Sequence, residues 1–166
     1  MNILSLFPAV RNFILEADGV LTDGRISLGA GGKSARNFHT RDIYALELAA
    51  ENGYRVHILG GNMEILLPSA LQHFFTDAPW SIPDRKLWLD QWMHDSGYKP
   101  GETLYMGSDI PSLAAMQSCG LPCCPADAVH EIKKAAAYIS PANGGYGCVR
   151  DVVEKVLKLN GHWPGV

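Results

Sequence analysis

The sequence predicts an α/β fold built on a mainly parallel sheet. Two observations carry this expectation. Short apolar runs alternate along the chain with longer stretches in which apolar residues recur at helical spacing. The first apolar run, Phe13-Ile14-Leu15, stops at two carboxylates two residues apart, Glu16-Ala17-Asp18, followed by the turn residue Gly19. A chain of 166 residues with 47% hydrophobic and 19% charged residues can bury one core, and a single domain over 1–166 is expected.

Strands are expected at 12–15, 55–59, 73–76, 103–106, 121–124 and 137–139. Helices are expected between them. Residues 41–52 carry Ile43, Leu46, Leu48 and Ala49 on one broad face and stop at Gly53. Residues 84–96 carry Leu87, Trp88, Leu89, Trp92 and Met93 and stop at Gly97. A short helix is read at 111–118 and another at 128–136. The last, 148–159, repeats Val149, Val152, Val153, Val156 and Leu157 at helical spacing. Residues 24–40 break the alternation: two short extended segments flank Gly29-Ala30-Gly31-Gly32, which reads as a β-hairpin where a helix would otherwise follow the first strand. The glycine run follows no buried strand and opens no helix, so it is read as a turn and not as a phosphate loop.

Several function classes are excluded by composition. The net charge is -3, the pI is about 6.0 and no basic cluster occurs, which argues against nucleic acid or an anionic membrane as partner. No apolar run reaches the ~18 residues of a membrane span, and residues 1–10 lack the pattern of a signal peptide. Cys119, Cys123, Cys124 and Cys148 have no C-x-x-C spacing, which argues against zinc and for a reduced, cytoplasmic setting.

In parallel α/β sheets ligands bind beyond the C-terminal strand ends. The residues read there are Glu16 and Asp18, then Gly60-Gly61-Asn62, then Asp84-Arg85-Lys86 before a helix, and Gly107-Ser108-Asp109-Ile110-Pro111-Ser112. Paired carboxylates, a cation, a hydroxyl and further acids for Mg²⁺ are the parts of a phosphomonoesterase that works through an acyl-phosphate.

Four ordered landmarks sharpen this picture: Asp18-Gly19-Val20-Leu21-Thr22-Asp23-Gly24, Arg41-Asp42, Ala126-Asp127-Ala128, and Gly144-Gly145-Tyr146-Gly147-Cys148-Val149-Arg150-Asp151. Together they resemble the haloacid dehalogenase (HAD) superfamily, in particular its small capless phosphatases of the 3-deoxy-D-manno-octulosonate 8-phosphate (KDO 8-phosphate) and acylneuraminate-pathway type. The resemblance spans almost the whole chain. It implies a three-layer α/β/α sandwich with a Rossmann-like sheet, a hairpin insertion and no cap domain. It also implies a homotetramer joined through the hairpins, with Ile26, Leu28 and Phe38 buried in the assembly, and an acidic sugar phosphate as ligand.

The resemblance places the family's nucleophile on Glu16, where the family has Asp, and its acid/base on Asp18. The phosphate-binding threonine and arginine positions fall on Gly60-Gly61-Asn62, and the phosphate-binding lysine on Lys86. Of the metal loop, Asp109 survives, while Ser108 and Ser112 replace carboxylates. Glu16, Asp18 and Asp109 are the implied Mg²⁺ ligands, with the metal weakly held or absent, and Arg41 and Arg150 are implied at the substrate. Glu extends its carboxylate by one C–C bond, which matters because in-line attack tolerates errors well under an ångström. The expectation is a sugar-phosphate phosphatase homologue with impaired or lost turnover and a binding or assembly role; the alternative is a Mg²⁺-dependent phosphatase using Glu16. Plainer roles stand beside these. Asp18 can form the turn before Gly19, Lys86 can be a solvated helix residue, Asp109 can cap the next helix, and Arg150 can pair with Asp42 or Asp151. Ser112 reads as an ordinary helix residue, His57 as a core histidine, and Trp80, Trp88 and Trp92 as packing residues.

Overall fold

The computed structural model describes residues 2–29, 34–60, 68–77 and 85–165. In chain order the elements are β1 (Asn12–Glu16), the hairpin strands β2 (Ser27–Leu28) and β3 (Ser34–Ala35), α1 (Thr40–Glu51), β4 (Arg55–Gly60), β5 (Phe75–Asp77), α2 (Arg85–Ser96), β6 (Thr103–Met106), α3 (Leu113–Gln117), β7 (Leu121–Cys124), α4 (His130–Ala135), β8 (Tyr138–Ile139) and α5 (Cys148–Leu159). Six strands form one parallel sheet in the order β5-β4-β1-β6-β7-β8, and β2 pairs antiparallel with β3.

Every residue of β1 is buried, as a central strand covered on both faces requires. Alternation along the strand sorts its side chains between two cores. Phe13 and Leu15 pack with Leu46 and Ala49 of α1 and with Val152 and Val156 of α5. Ile14 packs on the opposite face with Leu89 and Met93 of α2 and with Ala115 and Met116 of α3. Helices thus cover both faces of the sheet, giving the three-layer sandwich. Helix α5 alone buries Val149, Val152, Val153, Val156 and Leu157; burial of a side chain of this size contributes about 1.5–3 kcal/mol.

The chain leaves β1, fills β4 and β5 on one side, then crosses to β6 on the other. The resulting switch point lies between the ends of β1 and β6, where a crevice must open.

Some expected elements differ in detail. The strand expected at 73–76 begins at Phe75, preceded by a 3₁₀ segment, Ser69–Phe74. Leu71 and Phe74 are its buried residues, three apart, which is the period of a 3₁₀ turn. The helix expected at 111–118 is a 3₁₀ turn, Ile110–Ser112, followed by α3, with Pro111 in the first turn, where its missing N–H is harmless. The hairpin strands expected around the glycine run are short, with Ser27 opposite Ala35 and Leu28 opposite Ser34; residues 30–33 lie outside the described residues. Phe38, expected in a subunit interface, packs against the α1–α5 core of its own chain. All four cysteines are free and buried. Burial pushes the Cys119 thiol up to about 12 and that of Cys124 up to about 11, so neither is poised as a thiolate.

Candidate active site at the strand ends

Strand parity decides where Glu16 points. It shares its face with Ile14, so its side chain lies on the side of α2 and α3. There Oε1 accepts hydrogen bonds from the Arg85 guanidinium, the Ser112 hydroxyl and the Tyr105 hydroxyl, the last at 3.4 Å. Oε2 accepts the Ser108 backbone N–H at 3.1 Å. Arg85 is the first residue of α2 and also donates to Ser112 Oγ at 3.0 Å. Burial pushes the Glu16 carboxyl above the usual carboxylate range, while Arg85, Ser112, the Ser108 amide and Tyr105 pull the other way. Burial likewise raises the Tyr105 phenol, reinforced by the neighbouring Glu16, so Tyr105 stays a neutral donor.

Asp18 lies in the turn after β1, closed by the Thr22 N–H on the Ala17 carbonyl at 3.0 Å. Arg36, just beyond β3, grips it in a fork: Nε to Oδ1 at 2.6 Å and Nη2 to Oδ2 at 3.1 Å, with the Thr22 hydroxyl 3.4 Å from Oδ1. The Arg36 side chain is almost completely buried.

The other sequence landmarks hold this turn from behind. Gly145 N–H donates to the Val20 carbonyl at 2.9 Å, and Gly144 lies flat against Gly19 and Thr22 with no room for a Cβ. Asp127 Oδ1 accepts the Gly144 N–H at 2.9 Å, and Asp42 Oδ1 accepts the Arg150 N–H in the first turn of α5 at 2.6 Å.

Glu16, Asp18, Arg85, Ser108, Asp109 and Ser112 line one cavity of about 250 Å³, with Ile26 and Pro111 at its walls. At roughly 30 Å³ per water it has room for a phosphoryl group. Asp109 faces it while capping the Ile110 N–H at 2.7 Å, so capping and a place in the site coexist.

Three expected positions lie elsewhere. Lys86 is half exposed and pairs with Asp90 one turn on; the site is faced by Arg85, because adjacent helix residues point about 100° apart and the phase of α2 turns Arg85 to the strand ends. Arg41 is exposed at the start of α1, its N–H donated to His39 Nδ1. Arg150 lies over the Trp163 ring at 4.5 Å and pairs with Glu154 at 2.5 Å, so the expected partners Asp42 and Asp151 do not hold its guanidinium. Gly60 ends β4 opposite Asp77, while Gly61, Asn62 and Trp80 lie outside the described residues. His57 packs edge-on against Trp92, with Trp88 stacked on Trp92, in a half-buried aromatic cluster away from the cavity.

Arg36 and Tyr105 are site residues that the sequence does not single out, while Arg85 and Ser112 fall in segments read at the site without being given these roles. The adjacent cations Arg85-Lys86 carry a signal, since helix phase decides which of the two faces the sheet. Nothing local marks Arg36, which reaches Asp18 through the hairpin.

No family model matches the chain. It is 26% identical over 157 residues to 3-deoxy-D-manno-octulosonate 8-phosphate phosphatase KdsC of Haemophilus influenzae, covering 92% of this chain and 85% of that protein. Against the Escherichia coli K12 protein of the same name it is 27% identical over 161 residues, covering 96% and 86%. Along most of its length the chain is thus similar to proteins named as KDO 8-phosphate phosphatases. Solved structures of the Moraxella catarrhalis and Yersinia pestis phosphatases of that name share the fold, each with a TM-score of 0.85, at 23% and 24% identity. They are covered over 90% and 89% of their lengths, by 94% and 98% of this chain.

The Moraxella protein was solved with a magnesium ion, a phosphate ion and KDO, and a Haemophilus influenzae relative in a cobalt-bound form. The residues here do not fit such a cation. Both Glu16 oxygens already accept hydrogen bonds, Oε1 from a guanidinium, and the Asp18 carboxylate is forked by Arg36. The two positions flanking Asp109 and Pro111 in the loop are neutral serines, poor replacements for carboxylates toward a hard cation. Among the described residues no three His, Cys, Asp or Glu side chains gather to hold a metal. A cation ~4 Å from the guanidinium would meet roughly 4 kcal/mol of repulsion per unit charge at an effective dielectric of ~20.

Proposed function

We propose that the cavity receives the phosphoryl group of a phosphorylated acidic sugar of the KDO 8-phosphate or nonulosonate type, and that it is a phosphomonoesterase site with Glu16 at the nucleophile position. The observation that carries this reading is the convergence of Glu16, Asp18, Arg85 and Ser112 on one cavity at the switch point. The full-length relationship to proteins named as KDO 8-phosphate phosphatases supports the substrate class and the reaction.

Oε1 of Glu16 is the anchored oxygen, held by three side chains; Oε2, held by one backbone N–H, is the oxygen free to attack phosphorus. Attack forms an acyl-phosphate and breaks the bond to the sugar oxygen, which takes a proton from Asp18; water then cleaves the acyl-phosphate as Asp18 takes a proton back. Arg36 must loosen its fork for Asp18 to act.

A second reading is favoured by that same fork and by the three side chains that anchor Glu16 Oε1: the site binds the sugar phosphate but turns it over slowly or not at all. Phosphate release from a panel of sugar phosphates, with Asp18→Asn as control, separates the two. Release abolished by Asp18→Asn supports the phosphatase; no release above that control, with sugar-phosphate binding retained by calorimetry, supports the binding protein. Neither release nor binding would remove both.

We further propose that the chain is a cytoplasmic homotetramer joined through its hairpins. Leu28 is 78% exposed and Ile26 43% exposed in the single chain, on a two-stranded hairpin whose edges need partners. Among the described residues no helix is long and apolar enough to cross a membrane. Sedimentation should give a mass near four chains, and a monomer would overturn the assembly.

A further inference from the structure

The mismatch between this site and a divalent cation has a specific structural counterpart. The Glu16 carboxylate carries its own countercharge, Arg85, whose side chain is nine-tenths buried. The guanidinium is itself held: Ser112 Oγ accepts from Arg85 at 3.0 Å while its hydroxyl donates to Glu16 Oε1. A carboxylate at position 112 could not do this, because it would meet Glu16 with a second negative charge and no proton to donate. Tyr105, raised by burial and by Glu16, supplies a further neutral donor to the same oxygen. Asp18 has the matching arrangement with Arg36. Both acids that follow β1 therefore belong to electrically neutral pairs, the condition that a bound divalent cation would otherwise create.

We infer that Arg85, locked by Ser112, takes the place of the metal ion, so that the cavity binds a phosphoryl group without a divalent cation. The inference rests on reading the cavity as a phosphoryl site. Arg85 is the group that meets the anion, because it lines the cavity, whereas Lys86 is turned to Asp90. An arginine is well suited to this role, since its planar guanidinium stays charged at every pH and matches the oxygens of a phosphoryl group.

Calorimetry on the full chain tests this, with inorganic phosphate and Mg²⁺ as separate titrants. Wild-type protein is expected to bind phosphate equally well in EDTA and in millimolar Mg²⁺, and to show no saturable Mg²⁺ binding. Arg85→Gln is expected to weaken phosphate by about tenfold or more, as loss of a charge-assisted contact does. Ser108→Asp with Arg85→Gln, which adds a hard ligand and removes the guanidinium, is expected to bind Mg²⁺ about tenfold or more tighter than Ser108→Asp alone. Should the double variant fail to fold by circular dichroism, Ser108→Asp with Arg85→Met is read in its place, since methionine also removes the charge while filling the space of the arginine stem. Phosphate binding that appears only with Mg²⁺, or saturable Mg²⁺ binding by the wild type, would overturn the inference and leave the phosphoryl site standing. Removal of Arg85 that leaves Mg²⁺ affinity unchanged would also overturn it. Phosphate binding in neither buffer would remove the phosphoryl-site reading itself.

Discussion

Gly144→Ala is expected to destabilise the protein by about 3 kcal/mol or more, although alanine is ordinarily neutral to favourable where a glycine has an unexceptional φ. Gly144 is not among the glycines with positive φ, so no backbone strain is involved. The difficulty is space. An added Cβ would lie 2.7 Å from the Gly19 carbonyl carbon and 3.1 Å from the Thr22 oxygen, and closer still to the Gly19 oxygen, where ordinary contact begins at 3.4 Å. The turn carrying Asp18 must therefore retreat by at least the difference from the carbonyl carbon, about 0.7 Å. All three of these atoms are backbone, so no side chain can rotate away. The same retreat pulls on the Gly145 N–H to Val20 bond and on the Asp127 bond to Gly144. Gly53→Ala is the matched control: its φ of 82° strains an alanine, but nothing lies within 4 Å of the added Cβ, so about 1 kcal/mol is expected. Urea denaturation of the two variants and the wild type decides the matter. A Gly144→Ala loss equal to or smaller than that of Gly53→Ala would refute the claim that the Gly-Gly segment is pressed against the site turn.

Arg36→Met should cost about 2–4 kcal/mol in urea denaturation, because it strands the mostly buried Asp18. Adding Asp18→Asn should recover much of that loss, and a single-variant effect under ~0.5 kcal/mol would refute the fork. His57 should titrate near pH 4 by NMR, because burial and the Arg55 charge disfavour its charged form. Its folded value lies below the unfolded ~6.5, so the associated stability is complete above pH 6.5 and is lost as pH falls toward 4; a midpoint near 6.5 would show the ring to be solvated. Burial raises the Asp42 carboxyl above its ordinary range, so the native state holds its proton longer than the unfolded chain. Stability tied to Asp42 therefore declines as pH rises from about 4 through the raised value, and Asp42→Asn should remove that part of the pH profile; an unchanged profile would refute it.

The fold is legible because its signals are local and repeated. Helix α5 has the same bounds in the sequence as in the structure, since its valines keep strict helical spacing and Gly147 stands before it. Strands β6 and β7 coincide with their apolar runs. The segment before β5 reads as strand because a three-residue period and a two-residue period cannot be separated over so few residues. At the site, Glu16, Asp18 and Asp109 are legible as residues that directly follow strands. Lys86 and Arg85 are harder to tell apart, because adjacent residues on a helix differ by about 100° of rotation, and only the phase of α2 against the sheet settles which one faces the cavity. Arg36 and Tyr105 are invisible for another reason: their meaning comes from partners that are remote in sequence, brought together only by the hairpin and by the parallel pairing of β1 with β6.

The landmarks that carry the resemblance to the KDO 8-phosphate phosphatases and the residues that depart from it do different physical work. Gly144 and Gly145 press on the backbone of the turn after β1, Asp127 holds Gly144, and Asp42 holds the first turn of α5. The side chains of Glu16, Arg85 and Ser112 and the backbone N–H of Ser108 are gathered where the chemistry would occur, and they fit one another. This mutual fit predicts the outcome of the simplest repair. Glu16→Asp shortens the side chain by about 1.5 Å, withdrawing the carboxylate from Ser112 and Arg85 and leaving a buried guanidinium and hydroxyl with a weakened partner. Stability should fall by about 1–3 kcal/mol, the range for leaving buried polar groups unsatisfied. Phosphate release should not rise, because the shortened carboxylate loses the Ser112 and Arg85 contacts that position it. The two effects are read on the same sample, by denaturant titration and by release from a sugar phosphate with and without Mg²⁺. A variant as stable as the wild type, or one whose turnover rises on this change alone, would show that the four residues are independent substitutions and not a matched set.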